Sequence, residues 1–178
     1  MLEAMADVVE AYPDAQLYTT GYNPLSGGFK QRLKQTYYAK YLGKLIKKFG
    51  LEKHVTFLGP LNEKEMCDRF LKSHVFVNCS SIENSPNSVG EAMILGVPTV
   101  SSDVGGVKNM LDHNKEGFVY QPDAPYMAAH YIKRIFENDD LARELSGNAR
   151  KHAEITHNSE ENYLTLMSIY SKICEKGI

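Results

Sequence analysis

The sequence predicts an α/β domain with a Rossmann-like parallel sheet and helices on both faces of that sheet. Short apolar runs typical of buried strands alternate with longer amphipathic segments typical of helices. This alternation is the pattern of parallel strands joined by helical crossovers. No internal repeat, low-complexity segment or linker divides the chain. We therefore expect one domain over residues 1–178, a length that can bury a sizeable core.

Each predicted element is bounded by its apolar pattern. The strands cover residues 15–21, 54–59, 74–80, 98–103 and 117–120. The helices cover roughly 28–49, 62–72, 86–95, 105–112, 124–137, 139–153 and 159–175. A further helix, LEAMADVVEAY, opens the chain with no strand before it. Because a doubly wound sheet usually begins with a strand, we expect a piece of a longer polypeptide that lacks its first strand.

Composition and charge exclude several classes of protein. The net charge of -2 gives no general reason to expect that the protein binds nucleic acid. No apolar run approaches the roughly 18 to 20 residues of a membrane span. The first residues carry acids where a signal peptide carries a basic region, so we expect a cytoplasmic protein with reduced cysteines. Neither the three cysteines nor the six histidines show metal-ligand spacing, so we expect no metal and no cofactor.

The segment KQRLKQTYYAKYLGKLIKKFG, residues 30–50, contains basic residues and no acid. On a helical wheel, one side carries Tyr38, Leu42, Leu45, Ile46 and Phe49, and the other carries Lys40, Lys44, Lys47 and Lys48. One interpretation is attraction to an anionic membrane surface, at the inner face of the cell membrane. The other, which we favour, is a solvated face over a core-facing stripe.

The last predicted helix carries an apolar stripe of Tyr163, Leu166, Met167 and Tyr170, with Ser159 as the expected N-cap. Most of this stripe should lie in the core. Part of it could instead be exposed in the isolated chain, and the accessibility of Tyr163 and Tyr170 distinguishes the two cases.

The stretch SSIENSPNSVGEAMILGVPTV predicts a strand end, a loop and the start of a helix. Ser85 suits the N-cap and Pro86 the first helical position, while Gly96 is placed to end the helix after Leu95. This arrangement lies at the carboxyl edge of the predicted sheet, where open α/β sheets bind ligands. The free N–H groups of the helix start can bind phosphate there.

Two glutamates flank this helix start. Glu91 follows Ser88 by three residues and Asn87 by four, so all three share one helix face that points toward the helix start. A carboxylate there can accept hydrogen bonds from the diol of a ribose. Glu83, in the loop, could accept hydroxyls of a second sugar, and the pair would suit a nucleotide sugar. On spacing alone, an alternative in which Glu91 only stabilises its own helix is favoured.

The sequence around the two glutamates resembles that of the C-terminal, donor-binding domain of retaining GT-B glycosyltransferases, in particular glycosyltransferase family 4. The matching residues include Ser80-x-x-Glu83, Pro86-Asn87, Glu91-Ala92-Met93, Gly96-Val97-Pro98 and Gly105-Gly106. They follow the order of the family's E-x7-E donor motif and its flanks. Phe57-Leu58-Gly59 upstream and Glu116-Gly117-Phe118 downstream extend the match.

The resemblance implies a role for each matching position. Glu91 would hold the ribose hydroxyls, and Glu83, the residue assigned to the catalytic position, would contact the donor sugar without acting as a nucleophile. The segment from Ser85 to Ser88, including Asn87, would turn backbone amides toward the sugar and diphosphate. Gly59, Pro60 and Leu61 would line the base pocket through their backbone. The resemblance also implies that no metal is needed, because helix N-termini and basic side chains would stabilise the leaving diphosphate.

The sequence departs from the family pattern in two places. Asn84 stands where the commonest family loop has glycine, which bears on sugar preference. The Arg and Lys that bind the diphosphate in the family follow the strand that we expect to be absent, so the resemblance assigns them to no residue of this sequence. The acceptor-binding N-terminal domain would likewise be a partner within a longer chain.

The predicted function is therefore the donor half of a hexosyltransferase. It would use a nucleotide diphosphate sugar, with a UDP-sugar favoured and GDP- and ADP-sugars left open. Its acceptor would be a polysaccharide or glycoconjugate, either a sugar or a lipid-linked sugar. A non-catalytic nucleotide-binding module and a GT-B nucleotide-sugar epimerase remain alternatives. A flavodoxin-like regulator is disfavoured, because the glutamate loop does not fit its acidic cluster.

Overall fold

Five parallel strands form two sheets in the part of the chain that the structure describes. The structure is a computed structural model, and it describes residues 1–26 and 36–175. The strands are β1 (Leu17–Thr20), β2 (Val55–Gly59), β3 (Phe76–Asn78), β4 (Thr99–Ser102) and β5 (Phe118–Tyr120). One sheet pairs β1 with β2, and the other has the order β3-β4-β5. The predicted strands are confirmed, each slightly shorter than expected, but they form two sheets where we expected one.

Helices connect the strands and continue after them. They are α1 (Leu2–Ala11), α2 (Tyr37–Lys48), α3 (Glu63–Leu71), α4 (Asn87–Ile94), α5 (Val107–Met110), α6 (Pro125–Glu137), α7 (Asp139–Thr156) and α8 (Ser159–Glu175). The strand and helix alternation predicted from the sequence is confirmed. It gives the α/β, Rossmann-like class.

Helices cover both faces of the three-stranded sheet. On one face, Val100, Phe118 and Tyr120 pack in one cluster with side chains of α1 and α6. On the other, Phe76 and Val119 pack with residues of α4 and α7. This two-sided covering explains why all four residues of the central strand β4 are buried instead of alternating with exposed ones.

A cavity of about 720 Å³ lies between the two sheets. Its lining comes from β1, β3, α1, α3 and α6, and includes Leu17, Thr20, Val77, Val8, Phe70 and Ile135. Among the described residues, β1 pairs only with β2, and β3 pairs only with β4. The expected absence of a first strand stays a prediction.

Helix α2 begins at Tyr37, and residues 28–35 of the predicted helix lie outside the described residues. The Thr36 hydroxyl accepts a hydrogen bond from the Ala39 N–H (3.2 Å) and caps the helix, which starts at Tyr37. Ala39 and Ile46 are buried, and the lysines at positions 40, 44, 47 and 48 are exposed, as a core-facing stripe requires. Tyr38, expected on the apolar side, is instead 64% exposed. Lys30, Arg32 and Lys34 of the basic segment lie outside the described residues, and membrane contact stays a prediction.

Helix α8 is exposed along its whole described length. Tyr163 is 59% and Tyr170 54% exposed, so the expectation that most of its apolar stripe lies in the core is wrong, and the alternative of an exposed stripe is confirmed. The capping side chain is Asn158, whose Oδ1 accepts the N–H groups of Glu160 and Glu161, and not the predicted Ser159. Within residues 1–26 and 36–175, no helix combines the length and apolar character needed to cross a membrane.

Candidate functional site

The loop with both glutamates follows β3 and leads into α4, as predicted. The helix begins at Asn87, with Pro86 at the N-cap and no side-chain cap, so the predictions of Ser85 as N-cap and of Pro86 as the first helical residue are wrong. The Ser85 hydroxyl instead donates to the Met110 sulfur (3.3 Å), which draws the side chain away from the helix. The N–H groups of Asn87 and Ser88 have no carbonyl in the preceding turn by position, and within residues 1–26 and 36–175 they donate no backbone hydrogen bond.

Replacing Ser85 with alanine should hardly change the free energy of unfolding. Because the hydroxyl of this exposed residue caps nothing, we expect a change within about 0.5 kcal/mol. The matched control is Asn62→Ala, since Asn62 caps α3 in a capping box with Glu65 and its loss should cost about 1 kcal/mol. Urea denaturation of both variants checks this. A larger loss at Ser85 than at Asn62 would restore the capping role.

The far end of helix α4 follows the prediction. Gly96 has a φ of 70°, and its N–H bonds to the Met93 carbonyl while the Val97 N–H bonds to the Ala92 carbonyl. These two bonds form a Schellman motif, which a glycine in this conformation favours. The helix that carries Glu91 therefore has a well-defined C-terminal end.

A buried polar network supports the loop from below. Asn78, at the end of β3, donates to the Ser101 hydroxyl (3.0 Å) and accepts from the Ser80 hydroxyl (3.0 Å). The Ser102 hydroxyl donates to the Ser80 carbonyl (2.7 Å). Burial, with Cys79 nearby, raises the pKa of Tyr120, whose hydroxyl lies 3.5 Å from the Asn78 carbonyl. The carboxyl ends of β3, β4 and β5 are thus tied together beneath the loop.

The glutamate loop also rests on the loop that follows β4. The Gly106 N–H donates to the Asn84 carbonyl (2.6 Å). Gly105 has a φ of 52°, and a Cβ atom there would collide with the backbone carbonyls of Glu83 and Asn84. The positive φ and the close approach of the Glu83 loop both favour glycine at this position.

The two glutamates occupy different surroundings. Glu83 is half-buried, and its Oε1 accepts a hydrogen bond from the Asn84 N–H (3.1 Å). Glu91 is exposed on α4. The first turn of α4 contains no acidic residue, so Glu91 lies too far along the helix to stabilise its start. The alternative in which Glu91 serves only its own helix therefore loses its physical basis.

The remaining predicted site residues lie at the end of the other sheet. Gly59 ends β2 with a φ of 78°, and its carbonyl accepts the Gly21 N–H (2.8 Å). Pro60 is exposed and Leu61 is half-buried. The structure brings Glu83, Ser85, Asn87, Ser88 and Glu91 together in one loop and helix. Gly59, Pro60 and Leu61 lie at the end of β2, in the two-stranded sheet.

Glu116 is a buried carboxylate to which the sequence assigned no role. It is 3% exposed, accepts the Asp112 N–H (2.9 Å) and lies 2.8 Å from His152 Nδ1. It thereby links the turn before β5 to α7. No local signal reveals this contact, because His152 follows 36 residues later. In the described part of the chain, no group of three or more His, Cys, Asp or Glu side chains could hold a metal ion.

Comparison with known proteins gives the family. The model of the family Glycosyl transferases group 1 matches residues 1–152. The Bacillus subtilis protein YtcC is 27% identical over 97% of this chain and 41% of its own length. The chain thus spans less than half of this relative.

Solved structures share the fold. The crystal structure of Anabaena HepE in complex with UDP matches with a TM-score of 0.76 and 23% identity, covering 94% of this chain and 44% of that one. The C-terminal domain of the glycosyl transferase group 1 family protein LpcC from Francisella tularensis matches with a TM-score of 0.74 and 18% identity, covering 88% of this chain and 76% of that one. The chain belongs to the family Glycosyl transferases group 1 and has the fold of GT-B glycosyltransferases.

Proposed function

We propose that this chain is the donor-binding part of a retaining, metal-independent glycosyltransferase. The donor is a nucleotide diphosphate sugar, with UDP as its nucleotide, and the sugar moved is a hexose. The acceptor is a polysaccharide or glycoconjugate, bound by another domain of a longer, cytoplasmic polypeptide. The observation that carries this proposal is the pairing of a helix start with two free N–H groups and a carboxylate one turn further along the same helix.

The start of α4 suits a diphosphate. The N–H groups of Asn87 and Ser88 point out of the first turn, and the helix dipole adds partial positive charge there. Pro86 contributes no N–H of its own. A phosphate oxygen placed at this end would receive hydrogen bonds at little cost, because the helix is already formed.

Glu91 suits a ribose next to that diphosphate. Its carboxylate is exposed and lies beyond the first turn of α4, so a diol can approach it from solvent. A charged hydrogen bond to a hydroxyl is stronger than a neutral one. Anabaena HepE was crystallised with UDP, and this supports the uridine nucleotide for a chain with the same fold.

Glu83 suits the transferred sugar. It precedes α4 in the loop, and its carboxylate is already oriented by the Asn84 N–H. In the proposed reaction the bond between the anomeric carbon and the diphosphate breaks. The acceptor hydroxyl oxygen forms the new bond to that carbon, and its proton passes to the departing diphosphate. The protein's contribution is to hold the donor in position and to stabilise the negative charge that develops on the departing diphosphate.

Calorimetric titration of the chain with UDP, GDP and ADP tests the proposal. We expect saturable binding with a preference for UDP. A preference for GDP or ADP would change the nucleotide but keep the donor site. If none of the three binds, the chain does not hold a donor site.

A second arm separates an enzyme half from a non-catalytic binding module. Transfer or donor hydrolysis by the longer polypeptide, but not by this chain alone, identifies the enzyme half. Binding without turnover in both identifies the module.

A further inference from the structure

Helix α4, whose start is the proposed phosphate site, contains a glycine that its own backbone does not require. Gly90 lies in the helix interior and has no positive φ angle. Glycine weakens a helix interior relative to alanine, because it has more conformational freedom to lose on folding. A contact from outside the helix must therefore account for the missing side chain.

That contact is the ring of His157, at the end of α7. A Cβ atom on Gly90 would meet three ring atoms, Nε2, Cε1 and Cδ2, with Cε1 at 2.9 Å and Cδ2 at 3.2 Å. Heavy atoms in contact normally lie about 3.5 to 4.0 Å apart. The ring thus occupies the space that a side chain at position 90 would fill.

Hydrogen bonds fix where this ring lies. His157 is the C-cap of α7, and its N–H bonds to the Ala153 carbonyl (2.8 Å). Its Nδ1 lies 3.0 Å from the Thr156 hydroxyl, which itself donates to the His152 carbonyl (3.0 Å). Because the single hydroxyl proton is used in that bond, Nδ1 is the donor to Thr156. The neutral ring therefore turns an Nε2 without a hydrogen toward Gly90.

Helix α7 also holds the rest of α4. The Ser146 hydroxyl donates to the Gly96 carbonyl at the far end of α4. Between these two points the helices share one apolar cluster, which includes Val89, Met93, Ala149 and Ala153. The ring of His157 thus belongs to a helix that is itself firmly packed on α4.

The first turn of α4 depends on such support. The helix has eight residues and no side-chain cap at its start. A helix of this length is held by tertiary packing and not by its own hydrogen bonds. Gly90 closes the first turn, and Asn87 and Ser88 open it with the N–H groups that the proposed phosphate needs. A restrained first turn lowers the cost of ordering these groups when a ligand binds.

We propose that His157 is a positioning residue of the donor site. By packing on Gly90, its ring holds the first turn of α4 so that the N–H groups meet the diphosphate already in place. The inference rests on the proposed function, because it needs a diphosphate at this helix start. The ring acts through the helix and makes no contact with the donor itself. Its loss should weaken UDP binding by about three- to tenfold, as expected when hydrogen bonds to a charged group are partly lost.

A double-mutant cycle with ligand affinity as its readout tests the inference. His157→Ala is made in the unchanged chain and in the Gly90→Ala background, where the new methyl group leaves no room for the ring. Calorimetry measures the affinity of each variant for UDP and for uridine, and urea denaturation verifies that each is folded. His130→Ala is the matched control, since His130 is also an exposed histidine, within α6.

We expect His157→Ala to weaken UDP binding by about three- to tenfold in the unchanged chain. In the Gly90→Ala background the same substitution should have little effect, because the ring is already displaced and alanine itself favours the helix. The affinity for uridine, which carries no phosphate, should change less than that for UDP. His130→Ala should bind both ligands normally.

Three results overturn the inference while UDP binding by the unchanged chain leaves the proposed function intact. Normal UDP affinity in His157→Ala, with a lowered urea midpoint, would show that the ring supports the fold alone. An equal loss of affinity in both backgrounds would show that it does not act through Gly90. Equal losses for UDP and uridine would show that it does not act on the phosphate-binding turn. If the unchanged chain binds none of UDP, GDP and ADP, the proposed function and this inference fail together.

Discussion

Replacing Glu91 with alanine is expected to weaken UDP binding tenfold or more. The ribose diol would lose a charged acceptor, and such hydrogen bonds contribute on the order of 1.5 to 3 kcal/mol. The free energy of unfolding should hardly change, because Glu91 is exposed and lies beyond the first turn of α4. Calorimetry measures the affinity, and urea denaturation measures the stability.

The control for this variant is Glu144→Ala. Glu144 is also an exposed glutamate within a helix, on α7, so the same chemical change is made away from the proposed site. It should leave both the affinity and the stability unchanged. Glu91→Gln refines the test, since the amide keeps an oxygen acceptor without the charge and should bind with intermediate affinity. Equal UDP affinity in Glu91→Ala and Glu144→Ala would contradict the assignment of Glu91 to the ribose hydroxyls.

The local features of this site could be predicted because they depend on neighbours in sequence. The spacing of Asn87, Ser88 and Glu91 places them on one face of any helix, and α4 is that helix. Gly96 followed by Val97 and Pro98 signals a helix end, and a Schellman motif is found there. The strands were found from their apolar pattern for the same reason.

The features that the sequence did not reveal depend on residues far apart in the chain. Ser85 is a good N-cap by type, yet its hydroxyl bonds to Met110, which reaches it only through tertiary packing. Glu116 and His152 meet through the packing of α7. The division into two sheets depends on whether β1 and β3 have a common neighbour, which no local pattern records. Local sequence preference indicates which segments form helices and strands. Tertiary packing determines which partners their side chains contact.

Replacing Gly105 with alanine is expected to destabilise the fold and to disturb the donor site at once. The left-handed backbone at this position costs an alanine about 1 to 2 kcal/mol. The new Cβ would also collide with the Glu83 and Asn84 carbonyls, which are backbone atoms and cannot rotate away. Overpacking of this kind adds about 1 to 3 kcal/mol. If the Glu83 loop shifts to relieve the collision, Glu83 and the start of α4 move with it, and UDP affinity falls.

Gly50→Ala separates the two causes. Gly50 has a φ of 66°, close to that of Gly105, but its Cβ would meet no atom within 4 Å. It should therefore carry the backbone strain alone, lose only about 1 to 2 kcal/mol and bind UDP normally. The difference between the two variants, in urea denaturation and in UDP titration, measures what the contact between the β4 loop and the glutamate loop contributes. Identical stability and affinity in the two variants would mean that the Glu83 loop adapts freely, and that its contact with Gly105 does not shape the donor site.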